Sequence, residues 1–117
     1  MNKDDLILRT KQFAHKCVKL ALKLPNDKLG NHIEGQLIRC STSVAANYRA
    51  TCLAQSKAAF ISKISIVIEE ADEAEFWLEF IIDEHLNNLE ETKILKNEAH
   101  ELASIFIASR KTAKGDV

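Results

Sequence analysis

The chain has 117 residues, 46% of them hydrophobic and 28% charged, which leaves room for one packed domain and excludes a disordered chain. One proline and three glycines are too few for the succession of tight turns in an all-β sandwich or barrel, so the composition suits a helical protein. Sixteen Lys+Arg stand against seventeen Asp+Glu, a near-balance that excludes a molecule acting throughout as electrostatic glue for nucleic acid.

Periodicity predicts a first helix over residues 4–24. Leu6, Phe13, Cys17, Leu20 and Leu24 fall on one stripe at spacings of three and four, with Thr10 filling the gap. Ile7, Ala14, Val18 and Ala21 widen it. Pro25 cannot donate the backbone hydrogen bond of a continuing helix, so the helix stops there and Asn26–Gly30 reads as a loop. A second helix is predicted over 31–52, with Ile33, Leu37, Cys40, Val44, Asn47 or Tyr48, and Thr51 as its seam. Its middle is made of small residues, Ser41 to Ser43 with Ala45 and Ala46, which let a neighbouring helix approach closely. Asn47 sits at the seam's edge, where a buried amide must find partners and can fix helix register.

A third helix is predicted over 56–85 with Ser56 as N-cap. Phe60, Ile64, Val67, Ala71, Ala74, Leu78 and Ile81 repeat at steps of four and three. At about 100° per residue, Ile66, Phe76, Trp77 and Phe80 project away from that seam. A helix in a lone four-helix bundle needs one apolar face, so this second patch points to a contact between subunits, the alternative being that loops or another helix of the same chain cover Trp77. Asn88 and Glu91 have the form of a capping box opening a fourth helix over 90–111, with Leu95, Ala99, Leu102, Phe106 and Ser109 as its seam. Short connections make the four helices antiparallel neighbours, an all-α up-down-up-down bundle in a single domain over 1–117. The terminal Gly115-Asp116-Val117 is expected to fray.

Catalytic and metal chemistry find no foothold in the sequence. A bundle-borne di-metal centre needs Glu-x-x-His pairs, yet Ile82 precedes His85 by three and Asn97 precedes His100 by three. Gln12 and Leu29 stand likewise before His15 and His32. There is no Cys-x-x-Cys or His-Glu-x-x-His for zinc. The acidic run from Glu69 to Glu75 lacks the glycine-bearing loop that bends carboxylates around calcium, so it reads as a solvated or subunit-bridging face. Gly30, Gly35 and Gly115 are too dispersed for a phosphate loop. No enzyme, cofactor or metal is therefore expected. Cys17, Cys40 and Cys52, an odd count without metal spacing, read as buried thiols in a reducing cytoplasm. No apolar run nears the roughly 20 residues of a membrane span, and the first residues lack a signal peptide's apolar stretch.

The balanced net charge hides an asymmetry. Residues 1–57 hold ten Lys/Arg and four Asp/Glu, while residues 58–117 hold six and thirteen. On the first helix Arg9, Lys16, Lys19 and Lys23 share one arc, and Arg39 and Arg49 add charge on the second. Such a stripe can track phosphates by counterion release. Taken alone it reads rather as a soluble face that pairs with acids of the third helix or of a neighbour. No aromatic stacking platform accompanies it, so base-specific reading of single strands is not indicated.

The stretch Gln36-Leu37-Ile38-Arg39 followed by Ser43-Val44-Ala45-Ala46-Asn47, then Gln55-Ser56-Lys57, then Glu73-Ala74-Glu75-Phe76-Trp77-Leu78, carries a resemblance. It resembles the bacterial four-helix-bundle proteins named after 23S ribosomal RNA intervening sequences, over nearly the whole chain. Many members have Asn-Ile-x-Glu-Gly at the end of the second helix; here Asn47 is kept, with Arg49 and no glycine. The resemblance implies an up-down-up-down bundle assembling as a ring, most often a homopentamer, mostly without established activity. It also implies a relation to the accessory variability proteins of diversity-generating retroelements, basic pentameric barrels that bind nucleic acid and a reverse transcriptase. Two readings follow. One is a ring whose Arg9, Lys16, Lys19, Lys23, Arg39 and Arg49 contact RNA or a ribonucleoprotein. The other is a protein-only scaffold joined through Ile66, Phe76, Trp77 and Phe80.

Overall fold

The computed structural model describes residues 1–115. Four helices follow one another: α1 (Lys3–Ala21), α2 (Lys28–Thr51), α3 (Lys57–Asp83) and α4 (Leu89–Lys114). Each packs on the next along the chain, and α1 closes against α4 along a sparser seam, giving the up-down-up-down bundle, 45 × 22 × 21 Å. The core is the set of seams that three-and-four spacing selects. Leu6, Phe13, Cys17 and Leu20 of α1 meet Ile33, Leu37, Cys40 and Val44 of α2, all buried. Ile64, Val67, Leu78 and Ile81 of α3 and Leu95, Leu102 and Phe106 of α4 complete it. Thr10 is buried on the first seam because its hydroxyl donates to the Leu6 carbonyl at 2.8 Å, which leaves only its methyl to the core. No buried side-chain polar atom among the described residues lacks a partner.

The helix ends differ from the sequence reading. α1 stops at Ala21 rather than at residue 24, since Lys23 and Leu24 donate to Leu20 and Ala21 in a tightened last turn (3.0 and 3.1 Å). Leu24 stays buried beyond the helix. α2 begins at Lys28, so the segment through Gly30 is helix and not loop. Asp27 is its N-cap, accepting from the Gly30 amide at 2.8 Å. α3 ends at Asp83 because His85 takes a left-handed φ of 54°. α4 runs on to Lys114 and ends in Gly115 at φ 81°, the left-handed cap that glycine adopts without strain. The reciprocal capping box lies at Asn2 and Asp5, not at Asn88. Asn88 caps α4 through its own side chain, while the Glu91 carboxylate turns to Lys23. Asn47 donates to the Ser43 carbonyl and hydroxyl of its own helix (3.0 and 2.8 Å), so it ties no helix to another and does not set register.

The thiols at the bundle centre carry a pH signature. Burial pushes the Cys17 thiol well up, and pushes Cys40 up to about 12. An unfolded thiol ionises near pH 8.5, so above that the unfolded chain releases protons that the folded chain keeps. Stability conferred by the two buried thiols is complete below about pH 8.5 and declines toward pH 12, by about 1.4 kcal/mol per thiol per pH unit. Urea melts between pH 8 and 11 should show that fall, and a shallower one in Cys40→Ala. Iodoacetamide at pH 8 should modify the half-buried Cys52 before either buried thiol in the native protein.

Candidate interaction surface

The cations of the sequence-predicted basic stripe are divided among different neighbours. Arg9 lies on the α4 side of α1, where Nε and Nη2 grip the Glu98 carboxylate at 2.7 and 2.6 Å, with Glu101 at 3.1 Å. This fork geometry, with both partners about three-quarters buried, holds the Arg9 guanidinium charged even more firmly than usual. Lys23, two turns beyond Lys16, reaches Glu91 of α4 at 2.8 Å. Arg39 of α2 meets Glu70 at 2.9 Å and Glu73 across the α2–α3 seam. Three of the six candidate phosphate contacts are thus paired with acids of α3 and α4. Among the described residues no ion pair forms at Lys16, Lys19 or Arg49, all exposed. They do not form one stripe: Lys16 lines the α1–α4 groove beside Arg9, and Arg49 lines the α1–α2 groove.

The second apolar patch of α3 is a ridge of aromatic rings. Phe76 and Trp77 meet edge to face at a centroid distance of 4.9 Å, and Phe80 lies 6.0 Å from Trp77. Trp77 is half-buried: its indole N–H donates to Glu73 at 3.2 Å, and His32 of α2 stands edge-on to its ring at 5.5 Å. Phe80 is half-buried as well. Phe76 and Ile66 remain 52% and 43% exposed, so the outer part of the ridge has no cover among the described residues. Acids flank it, with Glu69, Asp72, Glu79 and Asp83 all exposed. No Lys or Arg occurs between Lys63 and Lys93 to offset them.

Between α1 and α2 lies an open groove of about 560 Å³. Ile7, Ala14 and Val18 from α1 and Ala45 and Ala46 from α2 form its floor, and Lys11, His15 and Arg49 its rim. The small residues in the middle of α2 predict a closely packed neighbouring helix. Ser41 does pack inside, but Thr42 and Ala46 are exposed, so part of that small surface faces away from the bundle. The groove escaped the sequence reading, although Thr42, Ala45, Ala46 and Arg49 recur at helical spacing and signal one common face.

The remaining acids offer no metal cage. Glu75 pairs with His100 at 3.1 Å and Glu73 with Arg39 and Trp77, and no group of three or more His, Cys, Asp or Glu ligands comes together among the described residues. No helix of the described residues is long and apolar enough to cross a membrane.

With four helices packed in sequence and closed between α1 and α4, the chain belongs to the class of all-α four-helix-bundle proteins. Within that class the chain is a member of the family described as 23S rRNA-intervening sequence protein, which it matches over residues 3–108. It is similar to a crystal structure from Bacteroides thetaiotaomicron, described as a protein with unknown function from the S23 ribosomal protein family. The two share 32% identity with a TM-score of 0.82, over 90% of this chain and 97% of that one. No curated protein sequence matches it.

Proposed function

We propose that this chain is a non-enzymatic cytoplasmic protein that assembles with copies of itself into a closed ring, five subunits being the number the family resemblance implies. One observation carries the reading: the α3 ridge keeps Phe76 and Ile66 about half exposed beside Trp77 and Phe80, more apolar surface than one bundle covers. Mass measurement in solution should find an oligomer, and Phe76→Glu should dissociate it. The substitution lies on the solvent side of α3, so the helix content should be retained. A wild-type protein that is monomeric at every concentration would sink the proposal.

A second reading adds RNA or a ribonucleoprotein, including a nucleic-acid-handling partner such as a reverse transcriptase. It is favoured by Lys16, Lys19 and Arg49, exposed cations that form no ion pair among the described residues. Each phosphate contact should add about 0.7–0.9 to the slope of log affinity against log salt. Changing these three to Ala should therefore flatten the slope by about 2–3. Changing Arg9 should chiefly destabilise the bundle, because its guanidinium is already gripped by Glu98. Binding that is absent, or indifferent to salt, removes this reading and leaves the protein-only scaffold.

A further inference from the structure

We infer that the surface covering the α3 ridge is the α1–α2 groove of a second copy, so that subunits join head to tail. The inference rests on the self-assembly reading and specifies the two faces that meet. Shape is the first argument. Ile66 and Phe76 lie ten residues apart on α3, about 15 Å along a helix, and the α1 wall of the groove from Ile7 to Val18 runs about 16 Å. The groove is concave and floored by methyl-bearing side chains, whereas the ridge is convex and aromatic. Ridge against ridge would set convex rings against convex rings and leave the groove empty.

Charge is the second argument, and it is independent of shape. The groove rim carries Lys11, Arg49 and His15, and none of its nine lining residues is acidic. The ridge is flanked by Glu69, Asp72, Glu79 and Asp83, and α3 carries no Lys or Arg beyond Lys63, one turn before Ile66. Two ridges brought together would juxtapose like charges, which costs several kcal/mol in an interface. Ridge into groove sets each acidic flank against a cationic rim, which favours encounter and fixes register. Because the two faces lie on different parts of one subunit, the contact is heterologous, and repeated heterologous contacts close a ring or extend a filament. The asymmetry between a basic first half and an acidic second half then has a use: each half of the chain supplies one face of the joint.

Complementation of two defective variants tests this directly. Phe76→Glu damages the ridge and leaves the groove intact, whereas Ala46→Glu places an acid in the exposed groove floor and leaves the ridge intact. Both positions are solvent-facing on helices, and circular dichroism checks that each variant folds. Each alone should sediment with the mass of one chain. An equimolar mixture should give a species of two chains and nothing larger, because the one sound ridge can fill the one sound groove and no further joint is available. If the wild type assembles and Ala46→Glu still does, the groove is not the partner and this inference falls while the assembly reading stands. If both variants are monomeric and their mixture is too, the two faces do not meet and the inference falls likewise. A monomeric wild type overturns the assembly reading itself.

Discussion

Replacing Phe106 by alanine should destabilise the fold by about 3–5 kcal/mol, the range for emptying a buried aromatic site. Phe106 is fully buried on α4, and its ring stacks on Tyr48 of α2 with centroids 5.1 Å apart and planes 29° apart. Helices α2 and α4 are not sequential neighbours in the bundle, so this stack joins them across its diagonal. The loss therefore combines the buried area of the ring with a cavity that must be closed by helices already held by other seams. Native domains have about 5–15 kcal/mol in total, so the variant should retain only part of its stability. Urea unfolding followed by circular dichroism measures it. Leaving the midpoint within about 0.5 kcal/mol of wild type would show that the site collapses without cost, contrary to the packing described. Phe76→Ala supplies the contrast, since an exposed ring should weaken assembly far more than it weakens the fold of one subunit.

The seams of the bundle are legible in the sequence because burial follows a period that the chain itself carries. Leu37, Cys40 and Val44, or Ala71, Ala74, Leu78 and Ile81, stand at three-and-four spacing, and each is buried. The family could be recognised from the Gln36–Asn47 and Glu73–Leu78 stretches for a related reason, since those stretches hold the residues where helices meet. Charge behaves differently. The arc of Arg9, Lys16, Lys19 and Lys23 is a correct statement about one helix, but a lone helix does not say which neighbour lies beside each position. Only the bundle places Glu98 at Arg9 and Glu91 at Lys23, and brings no acid of the described residues to Lys19. The groove was hidden for the same reason. Alanines at 45 and 46 fit a close helix–helix contact as well as an open floor, and the deciding fact is whether another helix of the chain lies over them.

Those ion pairs change the meaning of the charge asymmetry. Arg39 between Glu70 and Glu73, and Arg9 between Glu98 and Glu101, join the basic first half of the chain to the acidic second half inside one subunit. The asymmetry is thereby partly consumed in folding. Among the charges outside these ion pairs, Lys11 and Arg49 line the α1–α2 groove and Glu69, Asp72, Glu79 and Asp83 run along the α3 ridge, while Lys16 lies in the α1–α4 groove. A surface sorted in this way favours a partner carrying both signs, such as another copy, over a polyanion that would meet the acidic ridge as well as the basic rim.

The same substitution should have opposite signs at the two glycines of α2. Gly35 is exposed in mid-helix, and a methyl added there meets nothing within 4 Å. Gly35→Ala should stabilise the protein by about 0.5–1 kcal/mol, since alanine loses less backbone entropy in forming helix. Gly30, in the first turn of the same helix, has equally ordinary helical backbone, yet it lies against the Pro25 carbonyl. A methyl at Gly30 would sit 2.9 Å from the Pro25 carbonyl carbon and closer still to its oxygen. That carbonyl is held by accepting the Asp27 amide at 3.0 Å, so it cannot swing aside without disturbing the cap of α2. The overlap should outweigh the gain in helix propensity, leaving Gly30→Ala about 1–3 kcal/mol less stable than wild type. Paired urea melts decide it: a Gly30→Ala midpoint at or above wild type would mean that the α1–α2 connection yields freely. The same glycine explains why the sequence reading began α2 at residue 31. Proline followed five residues later by glycine signals a loop when the chain is read locally, but here glycine is chosen for the close passage of backbone against a helix that has already begun.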